Sequence, residues 1–171
     1  MKRFRALFFG LSILALIILP SLFLNRKIFI YNYTESLPRG IYVVHPGFFK
    51  KGDIVAFRPS GIAARIIEER KYLGNGEFLM KHIVGFPGDS VCTNNGMLFI
   101  NGENFGGIKD VDREGKPLPR YGFCGRLKEG YIVAIKGMNS SFDSRYYGPI
   151  RSENIIGVAT PFWLFDIRSK R

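Results

Sequence analysis

At 171 residues the chain has room for one ordinary domain, or a domain plus an anchor, and is too short for a typical two-domain enzyme. A hydrophobic share of 46% excludes a disordered chain, while 20 glycines and 9 prolines favour turn-rich β structure over long helices. The formal charge of +11, from 25 basic and 14 acidic residues, implies either nucleic acid or an anionic membrane as a neighbour, and its distribution decides between them.

Residues 1–5 read Met-Lys-Arg-Phe-Arg, and 6–24 carry no charged side chain. At 1.5 Å per residue this apolar run reaches roughly 28 Å, close to the hydrocarbon thickness of a bilayer. The rival reading is a cleavable signal peptide, but no small-x-small pattern follows the run, which passes into Phe23, Leu24, Asn25, Arg26 and Lys27. The expected organisation is therefore a cytoplasmic basic tail (1–5), an uncleaved transmembrane anchor (6–24) and an exported domain (25–171). Lys2, Arg3 and Arg5 ahead of the run, against Arg26 and Lys27 behind it, favour a cytoplasmic N-terminus. Without the first three cations the exported part keeps 22 basic and 14 acidic residues, a formal +8 that draws it to anionic phospholipid. No helix-turn-helix, zinc-finger or basic-aromatic RNA-binding pattern appears and the basic residues are scattered, so nucleic acid is not expected.

Beyond the anchor, strands are expected at 27–33, 41–44, 54–57, 78–84, 90–93, 97–100, 131–135 and 155–165, with dense turn punctuation such as Pro87-Gly88-Asp89 and Asn94-Asn95-Gly96. One short helix fits 62–72, and 103–125 reads as a long insertion or loop. This is the spacing of coiled antiparallel sheets. Cys92 and Cys124 are the only cysteines, and in an exported domain a disulfide between them is the favoured reading, two buried free thiols being the other. With only His45 and His82 besides, neither at ligand spacing, no metal site is expected.

Three segments can carry chemistry. In Asn32-Tyr33-Thr34-Glu35-Ser36-Leu37-Pro38-Arg39-Gly40, Pro38 and Gly40 suit a type I turn starting at Leu37, which would hold Ser36 at a rigid strand end; a serine there is more often a plain turn residue. In the apolar run 78–84, Lys81 is the one ammonium, and burial among Phe78, Met80 and Ile83 would lower its pKa toward that of a general base, unless it is an edge-strand lysine facing solvent. Strand alternation puts Lys81 and His82 on opposite faces, so only one of them can serve a given nucleophile. The block 137–148 gathers Asn139, Ser140, Ser141, Asp143, Ser144 and Arg145; its plainest reading is a hydrated loop with an Asp143–Arg145 ion pair. Asn32-Tyr33-Thr34 and Asn139-Ser140-Ser141 also match the glycosylation sequon, a pattern too weak to weigh.

Taken in order, the apolar anchor, Ser36-Leu-Pro-x-Gly-x-Tyr42, Lys51-Gly-Asp-Ile-Val55, Lys81 ahead of Pro87-Gly88-Asp89, and Ser141-Phe-Asp-Ser-Arg-Tyr-Tyr-Gly148 closely resemble the bacterial type I signal peptidase family. The resemblance is greatest to its conjugal-transfer branch, the TraF-type pilin-processing peptidases, which have Ser-Leu-Pro and a cysteine pair. It departs at Met138, where housekeeping enzymes carry aspartate. The resemblance implies a mainly β domain of coiled antiparallel sheets behind one transmembrane helix, in the bacterial inner membrane, with no cofactor. It implies that Ser36 is the nucleophile and Lys81 its general base, that the Ser36 N–H and Thr34 hydroxyl form the oxyanion hole, that Ser141 orients the lysine, and that Asp143 and Arg145 support it. A serine gains nucleophilicity only when a neighbouring base takes its proton, and a neutral lysine can do this where no histidine serves. The implied substrate is an exported precursor or pilin, handled beside secretion or conjugation machinery. A housekeeping signal peptidase and a non-catalytic β-rich subunit of a secretion apparatus are the alternative uses.

Overall fold

The computed structural model describes residues 9–10, 12–16, 28–74 and 78–165. Most of the expected anchor, 6–24, lies outside these. Residues 9–10 and 12–16 are helical, and among the described residues no helix is long and apolar enough to cross a membrane.

Ten strands follow: β1 (Ile28–Asn32), β2 (Gly40–His45), β3 (Ile54–Phe57), β4 (Leu79–Gly85), β5 (Ser90–Asn94), β6 (Met97–Ile100), β7 (Glu103–Gly107), β8 (Cys124–Arg126), β9 (Ile132–Ala134) and β10 (Ile155–Leu164). They form a six-stranded sheet in the order β1-β2-β10-β3-β4-β9 and a four-stranded sheet in the order β7-β6-β5-β8, with every pairing antiparallel. A helix α1 (Gly61–Arg70) links β3 to β4, and a single helical turn α2 (Ser144–Tyr147) follows β9.

Local chemistry explains these elements. The β5–β6 hairpin turns at Asn95 and Gly96 with φ of 48° and 71°, the left-handed pair that a tight hairpin requires and that Asn-Gly adopts readily. In α1 the inward face is Ala63, Ile66 and Ile67 at helical spacing, so burial against the sheet holds a helix whose Ser60 N-cap makes no side-chain bond. β4 lies between β3 and β9 and is buried at six of its seven positions, which is why it reads as a nearly unbroken apolar run. Its side chains enter three clusters: Leu79 and Ile83 join Val55, Phe57 and Ile67; Met80 joins Tyr42, Val44 and Ala56; Val84 joins Val91, Leu98 and Ile100. Lys81 is the single cation in this knot.

The expected loop 103–125 is a strand at each end with an excursion between. β7 and β8 are the edge strands of the smaller sheet, and the Gly106-Gly107 and Cys-Gly-Arg sequences have little β propensity of their own; the ladders with β6 and β5 supply it. The excursion is fastened to the end of α1. Asp112 accepts from Arg70 Nη1 at 2.7 Å and from the Tyr72 hydroxyl at 2.6 Å, while Arg70 Nη2 donates to the Pro117 carbonyl at 2.6 Å. The Tyr72 bond, followed by N–H donors from Lys116 and Glu114 and by Arg70, holds the Asp112 carboxyl down at about 2.

Cys92 and Cys124 face each other across β5 and β8 and are joined by a disulfide, their Cα atoms 3.9 Å apart. The bond closes the neck of the excursion. With a sequence separation of 32, loop-closure entropy implies that the Cys92→Ser, Cys124→Ser protein loses about 4 kcal/mol of stability. Urea unfolding of the two proteins without reductant measures this, and coincident midpoints would leave the crosslink no stabilising role.

Candidate active site

The loop 33–39 joins β1 to β2 at one edge of the larger sheet. Its hydrogen-bonded turn falls at Glu35 and Ser36 instead of starting at Leu37 as expected. The reason is Asn32, whose buried amide donates to the carbonyls of Thr34, Leu37 and Pro38 and accepts from the Thr34 N–H, so that a side chain does what the Pro-x-Gly pattern was expected to do. Gly40 has a different task. A Cβ there would lie 2.2 Å from the Trp163 carbonyl oxygen, so glycine allows β10 to approach the base of the loop. Leu37, 5% exposed, anchors the loop in the cluster of Tyr42, Val44 and Met80.

Ser36 is brought to Lys81. The Lys81 amine donates to Ser36 Oγ at 2.7 Å, and Ser36 Oγ lies 3.2 Å from the Thr34 hydroxyl. Lys81 is 5% exposed, and along β4 it shares its face with Leu79 and Ile83. Burial pushes its pKa down to about 8; Asp143 opposes the shift and Arg145 adds to it. Among the described residues Ser36 is the one hydrogen-bond partner the amine has, so a largely buried ammonium would have few acceptors. Neither histidine competes. The His82 ring is on the other face of β4, 2.7 Å from the Gly52 carbonyl, and His45 ends β2.

The 137–148 block is a hydrated loop only at its start, where Gly137, Asn139 and Ser140 are exposed; from Ser141 on it is mostly buried. Asp143 and Arg145 are fully buried and paired through two bonds, Nε to Oδ1 at 2.8 Å and Nη2 to Oδ2 at 2.7 Å. Arg145 also donates to the carbonyls of Gly107 at 3.0 Å and Met138 at 2.6 Å. It thus ties the block to β7, and Met138 takes part through its backbone alone. Asp143 caps α2 by accepting from the Arg145 N–H and also accepts from the Ile135 N–H. Ser141 lines the same cleft as Lys81, but among the described residues its buried hydroxyl has no hydrogen-bond partner, so the orienting contact to the lysine implied by the resemblance is not formed there. Asn32 is the residue that sequence reading missed.

These side chains open onto a cleft of about 560 Å³. It is lined by Thr34 and Ser36 of the β1–β2 loop, Leu79 and Lys81 of β4, Ser141 and Phe142, and Lys109 and 111–114 of the excursion. Among the described residues no three His, Cys, Asp or Glu side chains are grouped to hold a metal. A hydroxyl hydrogen-bonded to a buried amine of lowered pKa, lining an open cleft, has the parts of an acyl-transfer site.

The family profile described as signal peptidase, peptidase S26, matches residues 1–163. The chain belongs to the signal peptidase family. Among curated proteins, this signal peptidase family member is 31% identical over 142 residues to a plasmid transfer protein TraF of Escherichia coli, covering 76% of this chain and 79% of that one. It is 29% identical to the conjugal transfer protein TraF of Agrobacterium fabrum, over 79% and 82% of the two chains, and 29% identical to signal peptidase I P of Bacillus subtilis subsp. natto, over 81% and 68%. Among solved structures, a signal peptidase I of Enterococcus faecalis aligns with a TM-score of 0.40 at 23% identity, over 67% of this chain and 99% of that one.

A buried lysine titrating near 8 instead of 10.5 destabilises the peptidase at neutral pH, because the unfolded chain holds the proton more tightly. The penalty is complete below about pH 8 and is relieved as pH rises through 10.5. Lys81→Met is therefore expected to be more stable than wild type at pH 7, with the gap narrowing by about 3 kcal/mol on going to pH 11. Urea unfolding across that range checks it; a constant gap would mean that Lys81 titrates as a solvated lysine.

Proposed function

We propose that this member of the signal peptidase family is a membrane-anchored serine endopeptidase in which Ser36 is the nucleophile and Lys81 the general base. The observation that carries the reading is the 2.7 Å hydrogen bond between Ser36 Oγ and a lysine amine that is 5% exposed. With its pKa at about 8, about a tenth of Lys81 is neutral at pH 7, against fewer than one in a thousand for a solvated lysine. The neutral amine takes the hydroxyl proton as Ser36 Oγ bonds to the scissile carbonyl carbon. The oxyanion is met by the Ser36 N–H and by the Thr34 hydroxyl, whose proton turns from Asn32 Oδ1 toward it as charge develops. As the C–N bond breaks, Lys81 returns the proton to the departing amine and an acyl-enzyme remains. Water or an amine of the substrate then displaces Ser36, giving a linear or a cyclised product that differ by the mass of one water.

The substrate is an exported precursor, and the similarity to plasmid transfer proteins favours a conjugative pilin or secretion component. The anchor is 6–24, the N-terminus lies in the cytoplasm of a bacterial cell, and the peptidase domain works on the outer face of the inner membrane. Supporting that placement are exposed aromatics on β1, which leads into the Ser36 loop, and on β10: Phe29, Tyr31, Phe162 and Trp163, with Phe29 meeting Phe162 edge-to-face at 5.9 Å. Such rings suit the interface of a lipid bilayer, and the surplus of cations suits anionic headgroups.

The test is mass spectrometry of a conjugative pilin precursor co-expressed with each variant. Wild type is expected to shorten it; Ser36→Ala and Lys81→Arg are expected to leave it intact, since the first removes the nucleophile and a guanidinium cannot accept the proton. Thr34→Val is expected to slow processing by about 10²-fold through loss of one oxyanion donor. Processing by Ser36→Ala would end the nucleophile assignment, and full activity in Lys81→Arg would return the base to His45 or His82.

A further inference from the structure

Asn32 ends β1, and its side chain turns into the loop that carries Ser36, where it is 6% exposed. Its Oδ1 accepts from the Thr34 N–H at 3.2 Å and from the Thr34 hydroxyl at 2.7 Å. Its Nδ2 faces three carbonyls, those of Thr34 at 3.3 Å, Leu37 at 3.0 Å and Pro38 at 3.0 Å. Only one amide orientation satisfies this shell: flipped, the oxygen would meet three carbonyl oxygens and the NH₂ would meet an N–H.

With no substrate bound, that orientation sets the direction of the hydroxyl protons of Thr34 and Ser36. The Thr34 hydroxyl has one proton, and Asn32 Oδ1 takes it. Toward Ser36, Thr34 Oγ1 therefore offers a lone pair, which makes the Ser36 hydroxyl the donor of the 3.2 Å contact. Ser36 Oγ in turn accepts from Lys81. The result is one chain, Lys81 to Ser36 to Thr34 to Asn32, in which each group donates to the next and the last is a pure acceptor.

We propose that Asn32 is a positioning residue for Ser36, acting through Thr34: its amide shapes the loop, and its carbonyl oxygen draws the Thr34 proton away so that the Ser36 proton rests on the Thr34 side until Lys81 takes it. The proposal rests on the reading of Ser36 and Lys81 given above. A chain that ends on an acceptor favours a donor at its head, which is the protonated amine. Cutting the chain frees the Ser36 proton to turn to the lone pair of Lys81 and favours the neutral amine. The charges that act on Lys81 are Asp143, which favours the ammonium, and Arg145, which disfavours it. Both lie in the 137–148 block, and neither is touched by changes at 32 or 34.

The experiment is an NMR titration of full-length protein in detergent micelles with lysine labelled by ¹³C at Cε, the Lys81 resonance being assigned by its absence from Lys81→Arg. Asn32→Ala and Thr34→Val are each expected to titrate at lower pH than wild type, with about three- to tenfold more neutral amine at a fixed pH, and the double variant no lower than Thr34→Val alone. Asn32→Asp, an anionic and stronger acceptor, is expected to titrate higher. Opposite movement in the two Asn32 variants is a result that simple loosening of the loop does not give. Thr34 is partly exposed and makes no contribution to the core, so Thr34→Val carries the test if an Asn32 variant fails to fold. An unmoved Lys81 titration in Thr34→Val overturns the proposal. Pilin processing by Ser36→Ala would remove the peptidase reading beneath it, whereas inactive Ser36→Ala with an unmoved titration removes only the role of Asn32.

Discussion

One hydrogen bond inside the larger sheet, between the amine of Lys81 and the hydroxyl of Ser36, is the contact around which the rest is arranged. Burying an amine is unfavourable unless it is paired or loses its proton, and here both responses are in use. β4 is buried along almost its whole length, so the lysine meets solvent only through the cleft; the loop 33–39 brings it a hydroxyl partner. The depressed pKa follows from where the strand runs, and needs no cation placed beside it for the purpose.

The neighbouring charges obey the same logic. Asp143 could have been the counter-ion that holds Lys81 protonated, but Arg145 occupies both of its carboxylate oxygens from the same segment. The opposing effects of the two on Lys81 are what a closed pair should give. Removing either partner would leave the other charge buried and alone, so this pair is rigid support whose loss would be severe. It also explains why Met138 is tolerated in the block: what Arg145 uses there is a carbonyl, which every residue has.

Much of this was legible in the sequence. An apolar run of strand length interrupted by one lysine pointed to Lys81, and alternation along that run separated it from His82. Order of blocks then joined it to Ser36. The turn falls earlier than expected because Pro38 and Gly40, though strong turn residues, do not set it; the organiser is Asn32, to which the sequence assigns no role of its own. An asparagine at the last position of a strand, just before a turn, is a known local signal for side-chain to backbone bonding, and it could have been read that way. The strands β7 and β8 were not legible, since Gly106, Gly107 and Gly125 favour loop and only the ladders to β6 and β5 make them extended. Nor could sequence supply the Arg70–Asp112–Tyr72 attachment, which joins residues about forty positions apart.

Lys81 and Ser36 sit in parts of the fold with different resistance to opening. β4 is bonded on both edges, Lys81 pairing with Val55 of β3 and the next residue, His82, with Ala134 of β9, so its segment is held inside the sheet. Ser36 lies in an edge loop held by an asparagine amide, one tyrosine hydroxyl and the packing of Leu37. Local opening of that loop separates the two side chains while leaving both sheets intact. Mild denaturant or warming should therefore part the proposed catalytic pair in a protein whose circular dichroism is still native, with amide exchange rapid around residue 36 and slow around residue 81.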